Sequence, residues 1–241
     1  MPAQGVGSLM TATSVPNAHR HRRPPLAIPR LHLITDTRTG RDPLPVVRAA
    51  LAASDACGQR IAVQVRAKQA TEREVVDLTR RVLLLARPAG ALVLVNDRLD
   101  LAMAASADGV HLGADDLPIE DATRLCSPGM VIGGTARHPQ AAADAGRAGA
   151  AYLGVGPVFA TATKKGLPTP FGVAGLRTVA SGSPLPVIAI GGVNATNIAD
   201  LMGAGAHGVA VVTAVSDEAD PQAATARLLD AMTPWAGRRR A

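Results

Sequence analysis

The sequence predicts an α/β protein built as a single closed (β/α)8 barrel, a TIM barrel, and three observations carry that expectation. A short apolar run followed by a longer amphipathic stretch recurs eight times between Leu31 and Met232. The runs are rich in β-branched and aliphatic side chains, as parallel strands covered on both faces require. No GxGxxG turn follows the first run, so the main sequence signature of the competing doubly wound open sheet is missing. Eight units in about 200 residues make a barrel slightly compact against the usual length of roughly 250.

Taken in order, the expected strands are Leu31–Ile34, Ile61–Val65, Leu92–Val95, Gly109–Leu112, Val131–Gly133, Tyr152–Val155, Val187–Ile190 and Gly208–Val211. Helix starts punctuate the gaps. Asp42-Pro43 and Asp220-Pro221 each offer an N-cap followed by proline at the first helical position. Thr71 with Glu74 forms a capping box ahead of the run Val75 to Ala86. Asn194 is expected to cap a helix that ends near Gly203 or Gly205.

Composition narrows the class further. Hydrophobic residues make up 47% of the chain and aromatics only 2%, so Ala, Val, Leu and Ile must fill the core. The net charge of +6 invites a nucleic-acid reading, but the basic residues are concentrated at the ends. Arg20, Arg22, Arg23 and Arg30 lie near the start and Arg238 to Arg240 near the end, which leaves the body close to neutral. Residues 1–29 are expected to form a disordered basic tail, 30–234 the barrel domain and 235–241 a basic C-terminal tail. No stretch approaches the roughly 18 consecutive apolar residues of a membrane span. Cys57 and Cys126 lack metal or disulfide-framework spacing, which fits two packed thiols in a reducing cytoplasm. The partners expected are small molecules, with neither nucleic acid nor membrane; oligomeric state is not legible.

Barrel chemistry sits on the loops after the strands, and those positions here are polar and chemically coherent. After the second strand, Gln64, Arg66 and Lys68 alternate with Val65 and Ala67, so all three face one side of an extended chain. Asn96 and Asp97 end the third strand; Asp115 and Asp116 follow the fourth. Two carboxylates on adjacent strands beside two cations suit a Mg²⁺ ion with a diphosphate better than helix capping alone. His111 reads as a packed or hydrogen-bonded residue with no catalytic role. Thr135 and Arg137 follow the fifth strand, where Arg137 either touches substrate or lies at the surface. The segment Gly154 to Lys164 leaves the sixth strand through Gly156-Pro157 and carries Thr161, Thr163 and Lys164, a cluster suited to an anion. Gly191-Gly192 and Val212-Thr213 fall where such barrels bind phosphate through backbone N–H groups, a second anion site.

Read together, these segments resemble the thiamine phosphate synthase family across nearly all of residues 31–232. The matching pieces are Gln64-Val-Arg-Ala-Lys68, Val95-Asn-Asp-Arg98, Asp108-Gly-Val-His-Leu-Gly113 with Asp116, Gly154-Val-Gly-Pro-Val-Phe159 with Thr161-Ala-Thr-Lys164, and Ala189-Ile-Gly-Gly192. The resemblance implies a Mg²⁺-dependent transferase that joins hydroxymethylpyrimidine diphosphate to hydroxyethylthiazole phosphate, or its carboxylated form, and releases pyrophosphate. It implies that Gln64, Arg66, Lys68, Asn96, Thr135 and Lys164 meet the pyrimidine diphosphate, with Arg66, Lys68 and Lys164 stabilising the departing charge. It places Mg²⁺ on Asp97 and Asp116, and the thiazole phosphate on Thr161, Thr163, Gly192, Val212 and Thr213. It also implies that the diphosphate leaves first, giving a pyrimidine carbocation that the thiazole nitrogen captures.

Three positions depart from the family's usual pattern: Ala67 stands for an acidic residue, Thr135 for a serine and Arg137 for a histidine. The related thiazole tautomerase uses a histidine in the region of Arg137, which makes that activity the weaker alternative. A non-catalytic phosphate-binding module is the other.

Overall fold

Eight parallel strands follow one another in sequence order and close on themselves, with the last strand hydrogen-bonded to the first. They are β1 (Leu31–Ile34), β2 (Ile61–Val65), β3 (Leu92–Asn96), β4 (Gly109–His111), β5 (Val131–Thr135), β6 (Tyr152–Val155), β7 (Val187–Ile190) and β8 (Gly208–Val211). The helices between them are α1 (Leu44–Ala56), α2 (Glu72–Ala86), α3 (Leu99–Ala105), α4 (Ile119–Leu125), α5 (Pro139–Arg147), α6 (Gly172–Ser181) and α7 (Ile198–Gly203). A short α8 (Thr213–Ser216) and a longer α9 (Pro221–Met232) follow β8. This computed structural model describes residues 27–163 and 166–235. The expectations for residues 1–26, for Lys164 and for 236–241 lie outside those residues. Among the described residues no helix is long and apolar enough to cross a membrane.

Pairing, more than apolarity, sets the strand ends. β3 runs on to Asn96 because Asn96 pairs with His111, and β5 runs on to Thr135 because Thr135 pairs with Gly154. β4 stops at His111, one residue before the expected end, although Leu112 N–H still donates to the Gly133 carbonyl at 2.9 Å.

Helix starts follow local chemistry. The Thr71–Glu74 capping box forms in both directions, and the Asp220 side chain accepts from Ala223 N–H at 3.0 Å. Asp42 accepts from Leu44 N–H at 3.0 Å, with Pro43 occupying the cap position of α1. Asn194 is a correction: it does not cap α7, whose N-cap is Asn197. Its carboxamide oxygen instead accepts from the Thr196 N–H and hydroxyl at 2.9 and 2.7 Å, nucleating a turn that delays the helix by one turn.

The period-2 alternation of each strand separates two cores. Outward residues such as Leu33, Val63, Val93, Leu153 and Val209 pack beneath the helices, with Cys57 against that cluster and Cys126 against a smaller one. Inward residues, including Leu92, Leu94, Val131, Tyr152 and Ile188, fill the barrel. Among the described residues Tyr152 is the one large aromatic side chain buried in the interior, 1% exposed, and a Cβ on Gly133 would lie 2.2 Å from its ring. Gly133 therefore supplies the space for that ring. Gly133→Ala should cost about 1–3 kcal/mol through overpacking, lowering the midpoint of a thermal unfolding scan by several degrees at least.

Candidate active site

The carboxyl ends of the strands open into one cavity, and its polar side is made by β2 to β4. Gln64, Arg66 and Lys68 line it together, as their alternate spacing requires, and Asn96 and Asp97 join them from the end of β3. Asp97 adopts a left-handed backbone (φ 67°), a conformation aspartate tolerates better than most residues, and its N–H donates to the His111 carbonyl at 2.7 Å. That turn aims the carboxylate at its neighbours. Lys68 Nζ donates to Asp97 Oδ2, and the Asp97 and Asp116 carboxyls hydrogen-bond one another. Gly113 N–H holds Asp116 Oδ2 at 2.7 Å. Burial, then the adjoining Asp97, pushes the Asp116 carboxyl above the ordinary carboxylate range, because two close carboxylates resist joint ionisation. Asp115, by contrast, is exposed.

Facing this group across the cavity are residues from β5 to β8. Thr135, Thr161, Thr163, Gly192, Val212 and Thr213 all line it. The Thr161 hydroxyl donates to Thr163 Oγ1 at 3.1 Å and accepts from Thr163 N–H at 3.3 Å, so the two hydroxyls form one polar patch. Gly191 and Gly192 have φ of 96° and 65°. A Cβ on Gly191 would meet Pro157 at 2.6 Å, and one on Gly192 would meet the Ala160 carbonyl at 2.7 Å. These glycines admit the β6–α6 loop as well as bordering the cavity. Val158 and Phe159 N–H groups bond the Ile190 and Gly191 carbonyls at 2.9 and 3.0 Å, which locks the start of that loop to the end of β7.

Beneath the mouth lies a polar aromatic floor that sequence reasoning did not assemble. His111 Nδ1 is 3.0 Å from the Tyr152 hydroxyl, to which the Gln64 amide also bonds, and Nε2 is 3.3 Å from Thr135 Oγ1. His111 is thus a hydrogen-bonded strand residue, and it holds the hydroxyl that β5 presents to the cavity. His32 packs on the other side of Tyr152 at a ring distance of 5.0 Å, with Nε2 3.1 Å from the Pro29 carbonyl. Complete burial, reinforced by His111, drives its pKa down to about 3 and keeps the ring neutral. The available signal was the inward phase of positions 32, 64, 111 and 152, each adjacent to outward aliphatics.

With this geometry in place, comparison with known proteins is decisive. The family model described as thiamine monophosphate synthase matches residues 31–215. This chain belongs to the thiamine monophosphate synthase family. It is 53% identical over 205 residues to the thiamine-phosphate synthase of Salinispora arenicola, covering 85% of this chain and 97% of that relative. It is 52% identical over 205 residues to that of Salinispora tropica, with the same coverage. Among solved structures, the thiamine phosphate pyrophosphorylase of Pyrococcus furiosus superposes with a TM-score of 0.75 at 36% identity, covering 86% of this chain and 97% of that one.

In this member of the synthase family, the loop after β1 contributes residues that the sequence reading passed over. Thr35 Oγ1 accepts from Arg66 N–H at 2.8 Å and donates to the Arg66 carbonyl at 3.1 Å, and Thr37 Oγ1 donates to the same carbonyl. Together they fix the backbone that carries the Arg66 guanidinium. Asp36 is buried and receives the Arg38 guanidinium and backbone N–H and the Ser216 hydroxyl. Arg38 and Arg41 also reach Asp217, so this network ties the β1 loop to α8 and hence to Thr213. The clue was a Thr-Asp-Thr run at a strand's carboxyl end.

The Arg38 hydrogen bonds outweigh burial and lower the Asp36 pKa to about 2. A depressed carboxyl stabilises the fold above its ordinary range, near 4, and loses that contribution as pH falls through about 2. Asp36→Ala should therefore cost roughly 1.5–3 kcal/mol at neutral pH. In denaturant unfolding, the gap to the wild type should narrow progressively from pH 4 downward; a constant gap would count against the network.

Proposed function

We propose that this barrel joins hydroxymethylpyrimidine diphosphate to hydroxyethylthiazole phosphate, giving thiamine phosphate and pyrophosphate. The observation that carries the reading is one cavity with two unlike sides, in a chain of the synthase family. Arg66, Lys68 and Asp97 form one side, with Asp116 bonded behind Asp97, and suit a metal diphosphate; hydroxyls and close-approach backbone of β6 to β8 form the other and suit a phosphate monoester. Lys164, outside the described residues, is assigned to the diphosphate from the family resemblance alone. The carboxylated thiazole phosphate is a further candidate for the second site.

The residues present fit Mg²⁺. Asp97 and Asp116 offer hard oxygen donors in mutual contact, and their resistance to joint ionisation is what a divalent cation relieves. A Mg²⁺ ion held by one or two carboxylates takes its remaining ligands from water and phosphate oxygens. When bound, the ion supplies positive charge to the departing diphosphate.

The chain's own residues do the rest. Arg66 and Lys68 stabilise charge on the leaving group, while Gln64, Asn96 and Thr135 hold the pyrimidine. Thr161, Thr163, Gly192, Val212 and Thr213 hold the thiazole phosphate, placing its ring nitrogen close to the reacting carbon. Carbon–oxygen cleavage leaves a pyrimidine carbocation, and the nitrogen lone pair forms the new bond without a general base. The floor suits this step, because His32 is neutral and adds no repulsive charge below the cation. Ile34, Ile188 and Ile190 line the cavity and help to exclude water, the competing nucleophile. The tautomerase alternative loses its acid–base group, since Arg137 points its guanidinium at two loop carbonyls. The two thiols, free in this fold, suit a reducing cytoplasm as the place of the reaction.

Incubating the protein with both substrates and Mg²⁺ should yield thiamine phosphate and pyrophosphate in equal amounts; no turnover would sink the reading. Chelation should abolish the reaction and Mg²⁺ restore it. Asp97→Ala and Asp116→Ala should each lower kcat by about a hundredfold or more, and full activity in both would remove the metal assignment.

A further inference from the structure

One of the three residues that depart from the family resemblance, Arg137, does not line the cavity. Its side chain is nevertheless engaged on three sides. Nη1–H donates to the Gly156 carbonyl at 2.6 Å, Nη2–H donates to the Thr169 carbonyl at 3.0 Å, and Cζ lies 4.9 Å from the centre of the Phe171 ring. Gly156 begins the β6–α6 loop, whereas Thr169 and Phe171 end it. Backbone bonds bring the same two legs together: Phe171 N–H donates to the Pro157 carbonyl at 3.3 Å and Gly172 N–H to the Val158 carbonyl at 3.0 Å.

We propose that Arg137 is a positioning residue that staples the two legs of the β6–α6 loop and thereby sets Thr161 and Thr163 for the thiazole phosphate. The departing leg is already bonded to the end of β7 through Val158 and Phe159. The returning leg is bonded to the departing leg through Phe171 and Gly172, and the guanidinium adds a second tie from both legs to the segment that follows β5. Arginine suits the task because its planar fork donates in two directions while its face stacks on an aromatic ring. A neutral histidine has a single ring N–H and cannot donate to both carbonyls. Lysine offers three donors but no planar face, and it reaches as a point charge.

This inference rests on the proposed use of the loop for thiazole phosphate, so its test carries a readout that needs no substrate. Arg137→Ala and Arg137→His should raise KM for the thiazole phosphate about tenfold, the equivalent of one lost charge-assisted hydrogen bond, while KM for the pyrimidine diphosphate moves less than about twofold. Arg137→Lys should recover part of the loss. Phe171→Leu, which keeps an apolar side chain and removes the stacking face, should move the same KM in the same direction by a smaller factor. In parallel, hydrogen exchange at the Phe171 and Gly172 amides, which bond the departing leg, should be about tenfold faster in Arg137→Ala, with the global unfolding midpoint little changed. Unchanged exchange overturns the staple. Equal rises in both KM values, or a fall in kcat alone, overturn the assignment to the thiazole phosphate side. Faster exchange in a protein whose wild type shows no coupling activity would support the staple and reject the ligand, which separates this failure from that of the proposed function.

Discussion

The ladder between β1 and β8 is the constraint on which the rest of the molecule depends. Leu31, His32 and Leu33 pair with Val209, Ala210 and Val211, and this seam turns eight sequential strands into a closed ring. Closure sets residues of β2 to β4 opposite residues of β6 to β8 around one mouth, although some 100 residues of chain separate them. It also brings the β1 loop beside α8, where Asp36 and Ser216 bond across the seam. Without the seam there is no shared cavity and no surface on which the two proposed anionic substrates would meet.

Around that ring the charged residues are braced by their neighbours, through the side chain or through the backbone. Lys68 rests on Asp97, Asp97 on Asp116, and Asp116 on the Gly113 N–H. Thr35 and Thr37 grip the Arg66 backbone from the neighbouring strand. Such an arrangement is ready for charge before a substrate arrives, and preorganised groups contribute most because they need not reorganise during reaction. The buried, neutral His32 complements them by leaving cationic charge at the mouth, on the proposed leaving-group side.

Much of this was legible along the chain because barrel strands repeat at a short period and place function at one end. Gln64, Arg66 and Lys68 could be assigned to one face from spacing alone, and both carboxylates of the proposed metal site lie in the loops after their strands, Asp97 immediately after β3 and Asp116 five residues after β4. The Thr71 and Asp220 caps were equally local, since each depends on residues three positions apart. Asn194 was misread because its oxygen is satisfied by Thr196, two residues on, and a turn competes with a helix cap for the same donor set. The Thr35-Asp36-Thr37 run and the His32–Tyr152–His111 floor went unassembled because their partners lie on other strands. No local pattern reports which strand closes the ring or which aromatic ring a glycine makes room for.

The sequence by itself determined the barrel class, the strand order and the residue types that face the mouth, because these follow from periodicity and from loops that succeed each strand. Tertiary structure decided what those residues hold. It turned Gly191 and Gly192 into the close-approach surface for a loop, made Gly133 the complement of Tyr152, and sent Arg137 to two loop carbonyls when sequence left it between substrate and surface. The physical reason is distance along the chain: hydrogen bonds and steric fits between segments tens of residues apart exist only once closure has placed them side by side.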